Sequence, residues 1–258
     1  MTEERIQGQV FGEVADDYER VRPAYPAELV DEVVTFAGGP EAGPALEIGA
    51  GTGKATVAFA RRGYAVTAVE PDPAMAEVLA RRTEGLPVTV VASTFEDIAP
   101  DGSYALVFSG QAFHWTDPAT RWDRTVAALA PGGALALFWT TDRVADADLR
   151  ARVDAVQRDL APAVVRADDP PAGVTLERHH MPAEFDTRPE LVDPRTRVYR
   201  WARQLSTSDF LVLLSTISVY RLLDEPVRER LFAGLADEIG DSVTLAEATV
   251  LYLAHTRR

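Results

Sequence analysis

The sequence predicts a doubly wound α/β fold, and three observations carry that prediction. Short apolar runs alternate with longer amphipathic ones through the first 140 residues. The runs are nearly continuous in apolar residues, as strands buried on both faces of a parallel sheet must be. The first run, PALEIGA (44–50), breaks on a glycine-rich turn, where an α/β unit passes from strand to helix.

Taken in order, GKATVAFARRG reads as a helix whose Gly63 suits a left-handed cap. YAVTAVE (64–70) is a strand, PDPAMAEVLARR a helix with Pro73 near its first turn, and LPVTVVAS a strand. YALVFSG (104–110) is the fourth strand and Pro118 to Leu129 a helix. The PGG at 131–133 reads as a turn, and ALALFWTT as the fifth strand. Strict alternation of strand and helix places helices on both sides of the sheet.

Past Thr141 the alternation stops. DADLRARVDAVQRDLAPAVV reads as a helix and the stretch after it is proline-rich and irregular. TRVYRWARQLS alternates like a strand, SDFLVLLSTISVYRLL and EPVRERLFAGLADEIG read as helices, and EATVLYLAHTR is a closing strand. We expect one domain over 1–258, with a lid segment at about 1–40 and a cap insertion at about 142–194 between the fifth and sixth strands.

Composition narrows the chemistry. With 47% hydrophobic and 26% charged residues the chain reads as a soluble globular protein. No stretch approaches a membrane span, and the polar start MTEERIQGQV does not resemble a signal peptide, so a cytoplasmic protein is expected. The absence of cysteine excludes disulfides, thiolate metal sites and a cysteine nucleophile; no metal is expected. A net charge of -14 argues against nucleic acid, whose phosphates demand clustered cations. A small-molecule partner is expected, with a monomeric or homodimeric chain.

The glycine turn holds the only lysine, Lys54, in EIGAGTGKAT. It fails as a phosphate loop, because Ile48 stands where the first glycine belongs and Ala55 where a hydroxyl should hold magnesium. A dinucleotide fingerprint fits in part: Gly49 and Gly51 match, but Lys54 occupies the third glycine position. The third reading is a Gly-x-Gly-x-Gly turn of Gly49, Gly51 and Gly53, preceded by the carboxylate of Glu47. A carboxylate repels phosphate and attracts a cation. S-adenosylmethionine carries an ammonium and a sulfonium and no phosphate, so it suits this turn. Glu70, at the end of the next strand, can accept hydrogen bonds from both ribose hydroxyls, a feature that dinucleotide folds share.

LEIGAGTGKAT, then VTAVEPDPAM and ASTFEDI, resembles the class I S-adenosylmethionine-dependent methyltransferases. FGEVADDYERVRPAYP before it and SGQAFHWTDP after it are similar to the small-molecule subgroup that includes the trans-aconitate and quinone-biosynthesis enzymes. The likeness is good from Phe11 to about Thr140 and loose over 195–258. It implies a Rossmann-like seven-stranded sheet, mostly parallel, with an antiparallel C-terminal strand at its edge.

It also implies methyl transfer to an oxygen, nitrogen or carbon of a small acceptor, leaving S-adenosylhomocysteine. By resemblance Glu47 and the loop Gly49, Ala50, Gly51 and Gly53 meet the methionine moiety. Glu70 with Pro71 meets the ribose, and Met75 the adenine face. Thr94, Phe95 and Glu96 border the adenine edge, although many relatives have aspartate at the position of Thr94. Tyr18 and Arg22 reach the methionine carboxylate, for which Arg22 is the natural bidentate partner. Gln111 completes the cofactor set, and Lys54 becomes a solvent-facing first-turn residue.

His114 follows the fourth strand, where the methyl group would be presented, and could act as a base for an acceptor that must lose a proton. Trp115, Trp139 and His179 are candidates for lining the substrate pocket. Plainer readings stand beside these: Arg22 as a surface ion-pair residue, Tyr18 and Trp115 as packing, His114 as structural. A nicotinamide-dependent oxidoreductase and a non-catalytic S-adenosylmethionine-binding module stay open as rivals, although Glu47 and Lys54 disfavour the first.

Overall fold

A computed structural model describes residues 15–165, 185 and 188–257. Seven strands form one sheet: β1 (Ala45–Ile48), β2 (Val66–Val69), β3 (Val88–Val91), β4 (Tyr104–Gly110), β5 (Leu129–Val144), β6 (Leu191–Ser206) and β7 (Ser242–Thr256). Their order is β3-β2-β1-β4-β5-β7-β6. The first five are parallel, with Ala45 opposite Val66 on one side and Leu106 on the other. β7 runs against both neighbours: Gly132 N donates to Arg257 O and Ala145 N to Thr244 O, while Arg257 N donates to Glu190 O and Thr207 N to Asp241 O. The last strand therefore lies between β5 and β6. The edge position expected for it is occupied by β6.

Among the described residues the helices are α1 (Ala15–Val21), α2 (Ala27–Phe36), α3 (Lys54–Ala60), α4 (Pro73–Arg82), α5 (Arg121–Ala128), α6 (Ala147–Leu160), α7 (Thr207–Ser215), α8 (Ser218–Arg221) and α9 (Glu225–Ile239). Their starts follow from sequence. Asp72 caps α4, accepting from Ala74 N at 2.9 Å and Met75 N at 3.0 Å, with Pro73 in the first position. Asp146 and Ser206 cap α6 and α7 in the same way. Each such cap is worth about 1 kcal/mol.

Two elements depart from expectation. The helix read through SDFLVLLSTISVYRLL breaks into α7 and α8 where Arg22 donates to both the side-chain and the backbone oxygen of Thr216, at 2.9 and 3.2 Å. The guanidinium satisfies a carbonyl that the end of α7 leaves without a helical partner. The PGG expected as a turn lies inside β5 as a bulge: the register passes from Tyr104 opposite Leu129 to Leu106 opposite Ala134.

The chain divides into two compact units. One contains residues 23–139, 179–199 and 249–258. Its core lies on both faces of the sheet, and alternation along each strand decides the face. Leu106, Phe108, Ala136 and Phe138 pack with Leu29, Phe59 and Tyr64. Val107, Leu137 and Trp139 pack with Phe113 and Trp122. The other unit, residues 1–22, 140–178 and 200–248, has its own core of Val144, Val153, Phe210, Leu213, Leu231 and Leu245. No helix among the described residues is long and apolar enough to cross a membrane.

Candidate active site

Between β1 and α3 the chain turns through Gly49, Gly51 and Gly53 with φ of 68°, 57° and 88°. These left-handed conformations admit glycine at little cost and penalise a side chain. The three glycines differ in what surrounds them. A Cβ on Gly49 would stand 2.3 Å from that of Ala112, and one on Gly53 would stand 2.6 Å from Leu79 Cδ1. Among the described residues, no atom beyond its chain neighbours lies within 4 Å of where a Gly51 Cβ would stand. The bend is thus packed at both ends and open in the middle, which is the shape a ligand needs to approach backbone closely.

Two acids serve this bend. Glu70, 7% exposed, accepts from Gly51 N at 2.7 Å and from Asp72 N at 2.9 Å. One carboxylate therefore joins the glycine bend to the loop that starts α4. Burial raises the Glu70 pKa, against the two backbone hydrogen bonds that lower it. Glu47, 2% exposed on β1, accepts the hydroxyl hydrogen of Thr56 from α3. Burial pushes its pKa up to about 8; the Thr56 bond opposes this and the charge of Glu70 adds to it. An acid so placed is mostly protonated near neutrality, and a cation beside it would restore the carboxylate.

The β4 end meets the same bend. Ser109 donates to Ile48 O at 2.7 Å, and Gln111, left-handed at φ 62°, donates its N–H to Phe138 O at 2.9 Å. A non-glycine residue with positive φ is uncommon, and here it turns Ala112 against Gly49. His114 and Trp115 follow in a short 3-10 turn, their rings 4.6 Å apart. Trp139, at 1% exposure, donates its indole N–H to His114 Nδ1 at 3.2 Å. Trp139 thus reaches the site through its nitrogen, with its ring in the core beside Tyr252.

The remaining cofactor candidates are distributed unevenly. Ala50 is buried and Pro71 exposed; Met75 is 3% exposed at the start of α4. Thr94, exposed, donates to Asp97 at 2.8 Å. Phe95 is buried under the Arg124 guanidinium, and Glu96 accepts from Asp117 N at 2.6 Å. Lys54 opens α3 half-buried. Tyr18 and Arg22 belong to the second unit, where the Arg22 guanidinium lies 5.2 Å from the Tyr18 ring centre and bonds Thr216. His179 lies outside the described residues.

Three contributors escaped the sequence reading. Thr56 looked like an ordinary helix residue, although a hydroxyl one turn into a helix after a glycine bend is within reach of the acid before that bend. Ala112 drew no notice beside His114. Tyr25, in RPAYP, places its hydroxyl 2.4 Å from where a Gly110 Cβ would stand and packs edge-on to Phe138 at 4.6 Å. Only the bareness of Gly110 at a strand end hinted at a bulky neighbour.

Comparison with known proteins agrees with this geometry. Residues 46–137 match the family model described as a methyltransferase domain. An uncharacterized methyltransferase of Mycobacterium tuberculosis is 38% identical over 173 residues, 66% of this chain and 68% of that protein. A trans-aconitate 2-methyltransferase of Rhizobium meliloti is 29% identical over 191 residues, 71% of this chain and 66% of that one. A solved structure described as a type II methyltransferase from Anaeromyxobacter dehalogenans superposes with a TM-score of 0.60 at 25% identity, covering 92% of this chain and 99% of that one. The chain belongs to the class I S-adenosylmethionine-dependent methyltransferases, and S-adenosylmethionine is its methyl donor. The residues present fit that donor: the bend has open space at Gly51, and a buried acid stands two residues before it where a positive charge is welcome.

Proposed function

We propose that this enzyme methylates a small molecule and that the bend between β1 and α3, with Glu47 and Glu70, holds the cofactor. S-adenosylmethionine supplies an electrophilic methyl group, and its transfer to a nucleophile leaves S-adenosylhomocysteine. The chain's own contribution is placement, since an in-line displacement depends on alignment of nucleophile, carbon and sulfur. Gly51 offers close backbone approach. Glu47 offers negative charge in a site of low dielectric. Glu70 keeps oxygen acceptors at the β2 end, each oxygen holding a lone pair beyond the one it gives to Gly51 or Asp72.

The observation that carries the reading is Glu47: an enclosed acid that burial holds protonated beside the glycine bend becomes a favourable carboxylate when a cation joins it. The acidic chain, with net charge -14, and the kinship with a trans-aconitate 2-methyltransferase both favour a small acceptor over nucleic acid. The test is calorimetric. S-adenosylhomocysteine should bind the wild-type chain, and Glu47→Gln should bind it about tenfold or more weakly. Equal affinity of the two proteins would remove Glu47 from the cofactor site, and binding of NAD(H) in place of S-adenosylhomocysteine would remove the reading itself.

A further inference from the structure

We propose that Thr56 is a positioning residue for the methyl donor: its hydroxyl keeps the Glu47 carboxyl in place and supports its charge when the donor's cation arrives. The inference rests on the reading of Glu47 as part of the cofactor site and extends that site to a residue of the following helix.

The first argument is where the hydroxyl goes. A threonine in a helix ordinarily turns its hydroxyl back to the carbonyl four residues earlier. Thr35 does so to Asp31 O at 2.8 Å, Thr83 to Leu79 O at 2.8 Å and Thr125 to Arg121 O at 2.7 Å. Thr56 departs from them. The carbonyl four residues before it, Thr52 O, accepts from Arg82 Nη1 at 2.9 Å, and the Thr56 hydroxyl reaches across to Glu47 Oε2 on β1. Thr56 is wholly buried, so bulk water does not compete for the contact. The cofactor bend is at hand as well: a Cβ on Gly53 would stand 3.6 Å from Thr56 Oγ1.

The second argument is what that bond does to the acid. A hydroxyl has one hydrogen to give. Given to a carboxylate, it makes a charge-assisted bond stronger than the same contact with the neutral acid. Thr56 therefore opposes the two effects that keep Glu47 protonated, its burial and the charge of Glu70. Opposite Glu47 on the neighbouring strands stand Ala68 and Phe108, which carry no charge, and α3 contributes Lys54 at its half-buried first position. Without the hydroxyl the acid would hold its proton to higher pH, and an arriving ammonium or sulfonium would have more work to expel it. Thr56 thus keeps affinity for the donor high near neutral pH.

The probe is S-adenosylhomocysteine, whose ammonium is the cation, titrated by calorimetry at about pH 6.5 and about pH 8.5 against the wild type, Thr56→Val and Thr56→Ser. Valine keeps the shape and lacks the donor; serine keeps the donor. Wild-type affinity should rise with pH, because the bound state needs the carboxylate. Thr56→Val should bind about tenfold more weakly at the lower pH, with a smaller gap at the higher, and Thr56→Ser should bind close to the wild type. Equal affinity of Thr56→Val and wild type, a gap of the same size at both pH values, or a folded Thr56→Ser as weak as Thr56→Val overturns the proposal. Thermal unfolding without ligand reads the pair by itself. The Glu47 contribution levels off above about pH 8 in the wild type, whereas in Thr56→Val stability should go on falling; curves of one shape would overturn the role of Thr56. If Thr56→Val does not fold, Thr56→Ala takes its place, and a wild-type affinity that is flat with pH overturns the proposal alone. Failure of the wild type to bind at either pH removes the cofactor reading itself, and the unfolding curves tell that result apart from a failure of Thr56.

Discussion

Gly51 gives its backbone N–H to the Glu70 carboxylate at 2.7 Å, while the other oxygen of the same group takes the N–H of Asp72. The acid that faces the ribose in our proposal is therefore also a clasp between two loops. Glu70→Ala should weaken S-adenosylhomocysteine binding by roughly 1 to 3 kcal/mol and lower folding stability by a similar amount, because two backbone donors lose a charged partner. Calorimetry and urea unfolding on one preparation measure both; loss of affinity with unchanged stability would mean the clasp is weak.

Glu47 makes stability depend on pH in an unusual direction. Its pKa rises from 4.5 in the unfolded chain to about 8 when folded. Between these values the folded chain keeps a proton that the unfolded chain has released, so stability falls as pH rises through the window. Below 4.5 and above about 8 the two states carry the same charge and this contribution is flat. Thermal unfolding from acidic to alkaline pH should show the slope in the wild type and a reduced slope in Glu47→Gln.

The same group should report ligand charge. A cation seated beside Glu47 near neutral pH favours the ionised form, so binding should expel up to about one proton. Calorimetry in buffers of different ionisation enthalpy counts it. No proton release, or equal release from Glu47→Gln, would separate this acid from the ligand.

Two glycines in one bend should fail differently. Gly49→Ala forces a side chain into Ala112 as well as into a left-handed conformation, and should destabilise by about 3 kcal/mol or more. Gly51→Ala meets no atom of the described residues and pays the conformational cost, about 1 to 2 kcal/mol. It should fold and yet lose cofactor binding, because the methyl group occupies the open space. Denaturant unfolding and calorimetry of the pair distinguish a packing glycine from a ligand glycine.

In the second unit, Arg203 donates to Glu247 at 2.7 Å and to Val21 O at 2.6 Å, with the Glu247 side chain fully enclosed. Glu247→Ala should cost roughly 3 kcal/mol by leaving a half-buried guanidinium without its counter-charge. The double change Arg203→Met with Glu247→Leu should recover most of it. A single variant as stable as wild type would show that the pair contributes orientation only.

What the sequence disclosed follows from how far each signal reaches. β1 to β5 were legible because parallel strands are apolar on both faces, and α4 because Asp72 and Pro73 are local cues. Glu47, Glu70 and the glycines were legible because the bend and its acids lie within a few residues of a strand end. The break at Thr216 was hidden, since the residue that binds the chain there is Arg22, 194 residues away. The position of β7 between β5 and β6 was hidden too, because an alternating run does not name its neighbours. The contact of His114 with Trp139, 25 residues on, was hidden as well, because the packing of β4 beside β5 brings them together.

The placement of β7 sets a timetable for synthesis. Both strands it joins are made earlier, so during translation β5 and β6 leave the ribosome with bare hydrogen-bonding edges and nothing to fill the gap between them. Strands β1 to β5 can assemble from neighbours already made, whereas β6 waits for residues 242–256. That interval is when the nascent chain is most exposed to mispairing and to chaperones.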